Sequence, residues 1–92
     1  MGFINMMRSP RMISPAEVEE SIKTEQYYIF PGTTMTVCCL TLYNGFNIIG
    51  ESSCLSTMVF DKDIGEALAR ANAKNKVWGF LGFRELENDH NT

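Results

Sequence analysis

Few residues in this chain are of types that perform chemistry, and they are dispersed. A nucleophilic thiol needs a base beside it. The chain has three cysteines, Cys38, Cys39 and Cys54, and a single histidine, His90, in a polar C-terminal stretch far along the chain from all three. The cysteines lack C-x-x-C spacing, and a tail histidine is a poor fourth ligand, so zinc is not expected. Adjacent strand residues point to opposite faces, so Cys38 and Cys39 do not bridge each other. Buried reduced thiols are the expectation, with a Cys38–Cys54 or Cys39–Cys54 disulfide as the alternative. Asp61, Asp63 and Glu66 cluster where a helix should begin. Capping and complementing the helix dipole account for them, against metal binding or acid–base work. Glu51 with Ser52 and Ser53 fits a solvated strand end. The seven glycines are scattered, so there is no phosphate loop or dinucleotide fingerprint. No enzyme activity, cofactor or metal is expected.

Other residues are better suited to holding a ligand. Phe60 precedes a helix cap, as a staple or core plug, or as a ring that stacks on a planar ligand near a helix N-terminus. Asn75 falls on what reads as the apolar face of the second helix. A buried amide without partners costs roughly 1–3 kcal/mol, so it either bonds a strand edge or faces a pocket. Asn72 flanks the same face and shares the ambiguity. Arg70 and Arg84 are either solvated or grip phosphate, for which arginine is suited. The candidate ligand-binding residues are therefore Phe60, Arg70, Asn72, Asn75 and Arg84.

The elements that must position them read as follows. Residues 1–12 form a loose leader. Ser14-Pro15-Ala16-Glu17 is a capping box with proline at the first helical position, and Ile13 can staple onto Val18. This helix should end near Glu25. Gln26–Phe30 reads as a short strand, broken by Pro31-Gly32. A long strand, Thr33–Tyr43, leads to Asn44-Gly45, a two-residue hairpin signal that would place Tyr43 opposite Phe46 and Thr41 opposite Ile48. The returning strand runs from Phe46 to about Ser53. On the long strand Met35, Val37, Cys39, Thr41 and Tyr43 share one face, and Thr34, Thr36, Cys38, Leu40 and Leu42 the other. Neither is wholly polar, so both should be covered, one by a helix and the other by a partner chain or the termini.

After a loop at 54–59, a second helix is expected from a cap at Asp61 to Trp78, burying Ile64, Ala67, Leu68, Ala71, Asn75 and Trp78. Gly79 would close it. Residues 79–84 then read as an extended apolar segment, and 85–92 as a polar, frayed tail. The fold class is α+β: a small antiparallel sheet built on a central β-hairpin with two helices packed against it, in one domain over residues 13–84.

The 92 residues suffice for one small domain, and 45% hydrophobic content supports a core without staples. A net charge of −3 argues against a nucleic-acid polymer or membrane surface as partner. No apolar run approaches a membrane span, and the N-terminus lacks the features of a secretory signal. A cytoplasmic homo-oligomer is expected.

From Ile13 to Phe83 the chain resembles a family of small tailed-phage proteins, the gene-product-forty-nine / gene-sixty-six family. The resemblance rests on Ile13-Ser14-Pro15-Ala16-Glu17-Val18-Glu19, Asn44-Gly45-Phe46, Gly50-Glu51-Ser52-Ser53-Cys54, Phe60-Asp61 with Ile64-Gly65, and Lys76-Val77-Trp78. Family members often carry an insertion after the first strand, where this chain has only Pro31-Gly32. The resemblance implies a phage origin and no assigned activity. The chain is also similar to the phage anti-Thoeris proteins, oligomeric sponges that sequester cyclic ADP-ribose isomers made by bacterial defence enzymes. That similarity implies a nucleotide site with an aromatic residue, an asparagine and arginines, matched in type by Phe60, Asn72 or Asn75, and Arg84. It implies a non-enzymatic binder of a small nucleotide-derived signal in the infected host. The other reading is a module that inhibits a host enzyme through its exposed sheet.

Overall fold

The structure, a computed structural model, describes residues 12–91, apart from the side chains at 57 and 88–91. The leader expected at 1–12 lies outside the described residues except for Met12. The first helix, α1 (Pro15–Ser21), opens on a complete capping box. The Ser14 amide donates to Glu17 Oε1 at 2.9 Å and the Glu17 amide to Ser14 Oγ at 3.2 Å. Ile13 and Val18 both enter the core. The helix stops at Ser21, short of Glu25, because Ile22 turns extended (φ −87°, ψ 122°) and starts the first strand.

That strand, β1 (Ile22–Ile29), is longer than the expected Gln26–Phe30 and pairs antiparallel with β2 (Thr36–Leu42). The third, β3 (Asn47–Ser52), pairs antiparallel with β2, giving the order β1-β2-β3. Along β2 the side chains of Thr36, Cys38, Leu40 and Leu42 are buried, while Val37, Cys39 and Thr41 are half-buried on the far face. The alternation agrees with the sequence reading.

The hairpin register differs from expectation by one residue. Thr41 pairs with Asn47 and Leu40 with Ile48. The Leu42 amide donates to Phe46 O at 2.8 Å, and the Gly45 amide to Leu42 O at 2.9 Å. The loop is therefore Tyr43-Asn44-Gly45, with only Gly45 at positive φ (90°). Asn44 keeps negative φ and its side chain accepts from the Phe46 amide at 2.9 Å. A two-residue loop would turn Ile48 to the outer face. The longer loop turns Ile48 and Gly50 inward, where the second helix lies.

That helix, α2 (Lys62–Asn91), begins at the expected cap, where Asp61 Oδ1 accepts from the Asp63 and Ile64 amides. It does not end at Trp78, and residues 79–84, expected to be extended, are helical. The helix continues past the boundary expected at residue 84. A helical glycine costs about 1 kcal/mol relative to alanine. Packing outweighs this: Phe80 stacks on Phe46 (centroids 4.8 Å apart, planes 8° apart), and Leu81 is buried.

The buried row of α2 is also corrected. Gly65, Ala69, Ala73, Val77 and Leu81 face the sheet at i, i+4 spacing, whereas Ile64, Leu68 and Trp78 are exposed, as are Ala67, Ala71 and Asn75. The cause is Gly50. A Cβ there would overlap the Ala73 amide nitrogen and Cα and the Ala69 carbonyl oxygen. Helix backbone lies directly on sheet backbone, and only small residues fit between.

Candidate functional site

A cavity of about 200 Å³ opens where α2 begins, between the ends of β2 and β3, a 3₁₀ turn at Thr57–Val59, and the first turns of the helix. Long-range hydrogen bonds build its frame. Thr34 Oγ1 donates to the Cys54 carbonyl and accepts from the Cys54 amide at 3.0 Å, clamping the loop after β3 onto the start of β2. Ser52 Oγ donates to the Gly65 carbonyl at 2.7 Å and ties the end of β3 to the helix. The Cys54 thiol donates to the Ser56 carbonyl.

Phe60 lines this cavity and leans on Gly65. A Cβ at Gly65 would lie 3.1 Å from Phe60 Cε1 and 3.0 Å from Thr36 Oγ1. Thr36 is fully buried beneath that glycine, and its hydroxyl has no hydrogen-bond partner among the described residues. Such a group costs about 1–3 kcal/mol.

The chemistry of the lining is specific in what it favours. Phe60, Ile64 and Leu68 supply apolar surface, Thr34, Ser53 and Cys54 a polar rim, and no basic side chain is present. Asp61 already accepts from two of the N–H groups at the helix start. The cavity suits an uncharged planar ring better than a phosphate.

The other candidate residues lie elsewhere. Arg70 is engaged by two carboxylates: its Nη atoms meet Glu19 at 2.9 and 3.1 Å, and its Nε meets both Glu25 oxygens at 3.1 Å. Lys74 Nζ joins Glu19 Oε2 at 2.7 Å. The hydrogen bonds from Arg70 and Lys74 hold the Glu19 carboxyl down at about 2. Glu25 is lowered mainly by the Tyr27 hydroxyl, which donates to it at 2.6 Å. Burial and that hydrogen bond push the Tyr27 phenol up, and burial raises the Cys38 thiol. This network ties α1, β1 and α2 together and leaves Arg70 no fork for phosphate.

Asn72 Oδ1 accepts from the Glu51 amide at 3.0 Å, and Lys76 Nζ donates to the Ile49 carbonyl at 2.8 Å. Both groups lie on the outer edge of β3, so Asn72 takes the strand-edge role that the sequence also offered to Asn75. Asn75 itself is exposed, not set in the core. Arg84 lines shallow grooves with Glu20, Ser21 and Leu81 at the opposite end of the domain. At 1.5 Å per residue it stands roughly 30 Å along the helix from Phe60, so one small ligand does not touch both. Of the five candidates the cavity holds Phe60 alone.

Sequence reasoning missed Thr34, Thr36 and Ser52. Strand parity alone could have found Thr34 and Thr36, which share the inward face with Leu40; Ser52 needed the register. The three cysteines are free, with Cys38 buried and Cys39 and Cys54 half-buried. Among the described residues there is no cluster of metal-ligating side chains, and no helix is long and apolar enough to cross a membrane.

No curated protein and no solved structure matches the chain. Residues 13–88 match the family described as Phage protein (N4 Gp49/phage Sf6 gene 66) family, a description that carries a phage origin and no ligand. The matched span begins at the stapling Ile13, takes in all three strands and the Phe60 cavity, and ends near the close of α2, so the chain belongs to this family of phage proteins.

Proposed function

We propose that this phage protein is a non-enzymatic capture protein for a small nucleotide-derived ligand, of the kind that host bacteria use as an immune signal: a cyclic ADP-ribose isomer or a cyclic oligonucleotide. The supporting observation is the Phe60 cavity, with its aromatic wall and its polar rim of Thr34, Ser53 and Cys54. A base stacks on Phe60, and the polar rim reads its edge. The cavity is smaller than the roughly 300–1,000 Å³ that encloses a drug-sized ligand. It therefore takes one ring and leaves sugar and phosphate at the mouth. Capture without turnover suits a lining in which the Ser52 hydroxyl and the Cys54 thiol each donate to a backbone carbonyl. The site of action is the cytoplasm of the infected host, where such signals are made.

Thermal unfolding with adenosine, ADP-ribose, its cyclisation products and cyclic dinucleotides tests this. A ligand at a hundred times its Kd stabilises by about 2.7 kcal/mol, which raises Tm by about 14 °C in a domain of this size. The Phe60→Leu variant should lose most of that rise, and mass spectrometry should recover the ligand unchanged. No rise with any of these ligands at saturation overturns the proposal.

A second reading has its own observation. Tyr28, Phe30 and Ile49 are exposed on the sheet face opposite α2, with Tyr28 and Phe30 in edge-to-face contact at 5.1 Å. An uncovered aromatic patch suits docking onto a host enzyme. Stoichiometric capture of one host protein, abolished by Tyr28→Glu, would favour it over ligand capture.

A further inference from the structure

The polar side chains around the Phe60 cavity are not equally free to bind. The Thr34 hydroxyl donates to the Cys54 carbonyl, the Ser52 hydroxyl to the Gly65 carbonyl, and the Cys54 thiol to the Ser56 carbonyl. Each such group has one proton to give. Of the lining side chains that carry a donor, Ser53 alone keeps it uncommitted among the described residues.

Acceptors, by contrast, are left over. Asp61 is the one charged side chain in the lining. Its Oδ1 accepts from the Asp63 amide at 2.9 Å and the Ile64 amide at 3.3 Å, while Oδ2 takes no bond among the described residues. The neighbouring cation is turned away: Lys62 Nζ lies 3.8 Å from Glu66 Oε2, one helical turn on. The two amides settle which oxygen faces the helix, so Oδ2 is the one left to offer.

We infer that the cavity selects a ring that donates: a nucleobase bearing an exocyclic amine, whose N–H bonds Asp61 Oδ2 while its face lies on Phe60. This names the base for the ligand reading above and rests on it. Asp61 follows Phe60 in the chain and lines the same cavity, so a ring on Phe60 meets the carboxylate with its edge. An ionised carboxylate only accepts. Adenine and cytosine present an amine where hypoxanthine and uracil present a carbonyl oxygen, which turns a lone pair toward a negative atom. The committed rim donors rescue that carbonyl only by abandoning a backbone carbonyl of their own. Asp61 is exposed, so exchanging amine for carbonyl is worth about tenfold in affinity.

The capping role of Asp61 supplies the decisive variant. Asparagine caps a helix as well as aspartate does. In Asp61→Asn the two amides hold the side-chain oxygen, because an NH2 group cannot accept from them. The NH2 group then stands where Oδ2 stood. An acceptor becomes a donor, and the helix keeps its cap.

The test uses the full chain and three simple rings: aniline, which offers N–H donors; nitrobenzene, which offers only acceptors; and toluene, which offers neither. Each is titrated while the amide resonances of Asp61 and Gly65 are followed. Aniline should bind about tenfold more tightly than nitrobenzene. Asp61→Asn should reverse that order, leave toluene binding unchanged and keep the circular dichroism of the parent. Equal binding of aniline and nitrobenzene to the parent overturns the proposal. So does an order that survives Asp61→Asn, and so does a cavity that takes none of the three rings. Adenosine against inosine repeats the comparison with whole nucleosides. Rings that discriminate while no nucleoside binds would defeat the ligand reading and uphold the preference for a donor. Adenosine and inosine bound alike would do the reverse.

Discussion

The two sides of α2 are built on opposite rules. The inward row is Gly65, Ala69, Ala73 and Val77, small residues that are almost wholly buried. The outward row holds Ile64, Leu68 and Trp78, which are larger and substantially exposed. By hydrophobicity alone the outward row should be the core. Size decides otherwise, because the sheet offers Gly50 as its contact and the helix sits with backbone on backbone. A face can therefore be buried for how little it projects rather than for how apolar it is.

Substitutions can break this contrast, beginning with the inward side. Gly50→Ala inserts a Cβ into helix backbone that cannot yield locally, so it should destabilise by about 3 kcal/mol or prevent folding. Denaturant unfolding measures it; a loss under 1 kcal/mol would mean that the helix is not seated on Gly50. Arg70→Met removes the guanidinium that joins Glu19 to Glu25 across two elements. Its partners are partly exposed, so the expected loss is about 1 kcal/mol. Gly79→Ala should act in the opposite direction. A Cβ at Gly79 meets nothing, and alanine should stabilise the helix by about 0.8 kcal/mol. On the outward side, Leu68→Ala should change the stability of the monomer by no more than about 0.5 kcal/mol, as for surface positions generally.

The smallest expected effect is with pH. Glu19 in the folded chain holds its proton only near pH 2, against 4.5 for an ordinary glutamate. Its folded value is depressed, so its contribution is complete above about pH 4.5 and is lost as pH falls toward 2. Glu19 is 45% exposed, which keeps the contribution small. Subtracting the acid unfolding curve of Arg70→Met from that of the parent should show it. Curves that run parallel through that window would remove Glu19 from the account.

Local signals in the sequence were read correctly where the determinant was local. The Ser14–Glu17 box, the Asp61 cap and the alternation of β2 each depend on a few neighbouring residues. The hairpin was visible at Asn44-Gly45, but its register was not. Local turn chemistry favoured two residues, and the need to turn Ile48 and Gly50 toward α2 imposed three. The extent of α2 failed for a related reason: Gly79 looks like a stop until Phe80 is known to stack on Phe46. Phe60 was legible because it precedes a cap. Its companions were not, because Thr34 and Cys54 are twenty residues apart and meet only once the sheet is paired.

The bonds from Asn72 and Lys76 to the backbone of β3 have a consequence for crowding. Strand-by-strand stacking into ribbons requires two free borders on every subunit, one to receive and one to offer. Here one border is closed by side chains of the molecule's own helix. A newcomer at that flank would have to displace both bonds, so joining through the sheet is disfavoured beyond a single step.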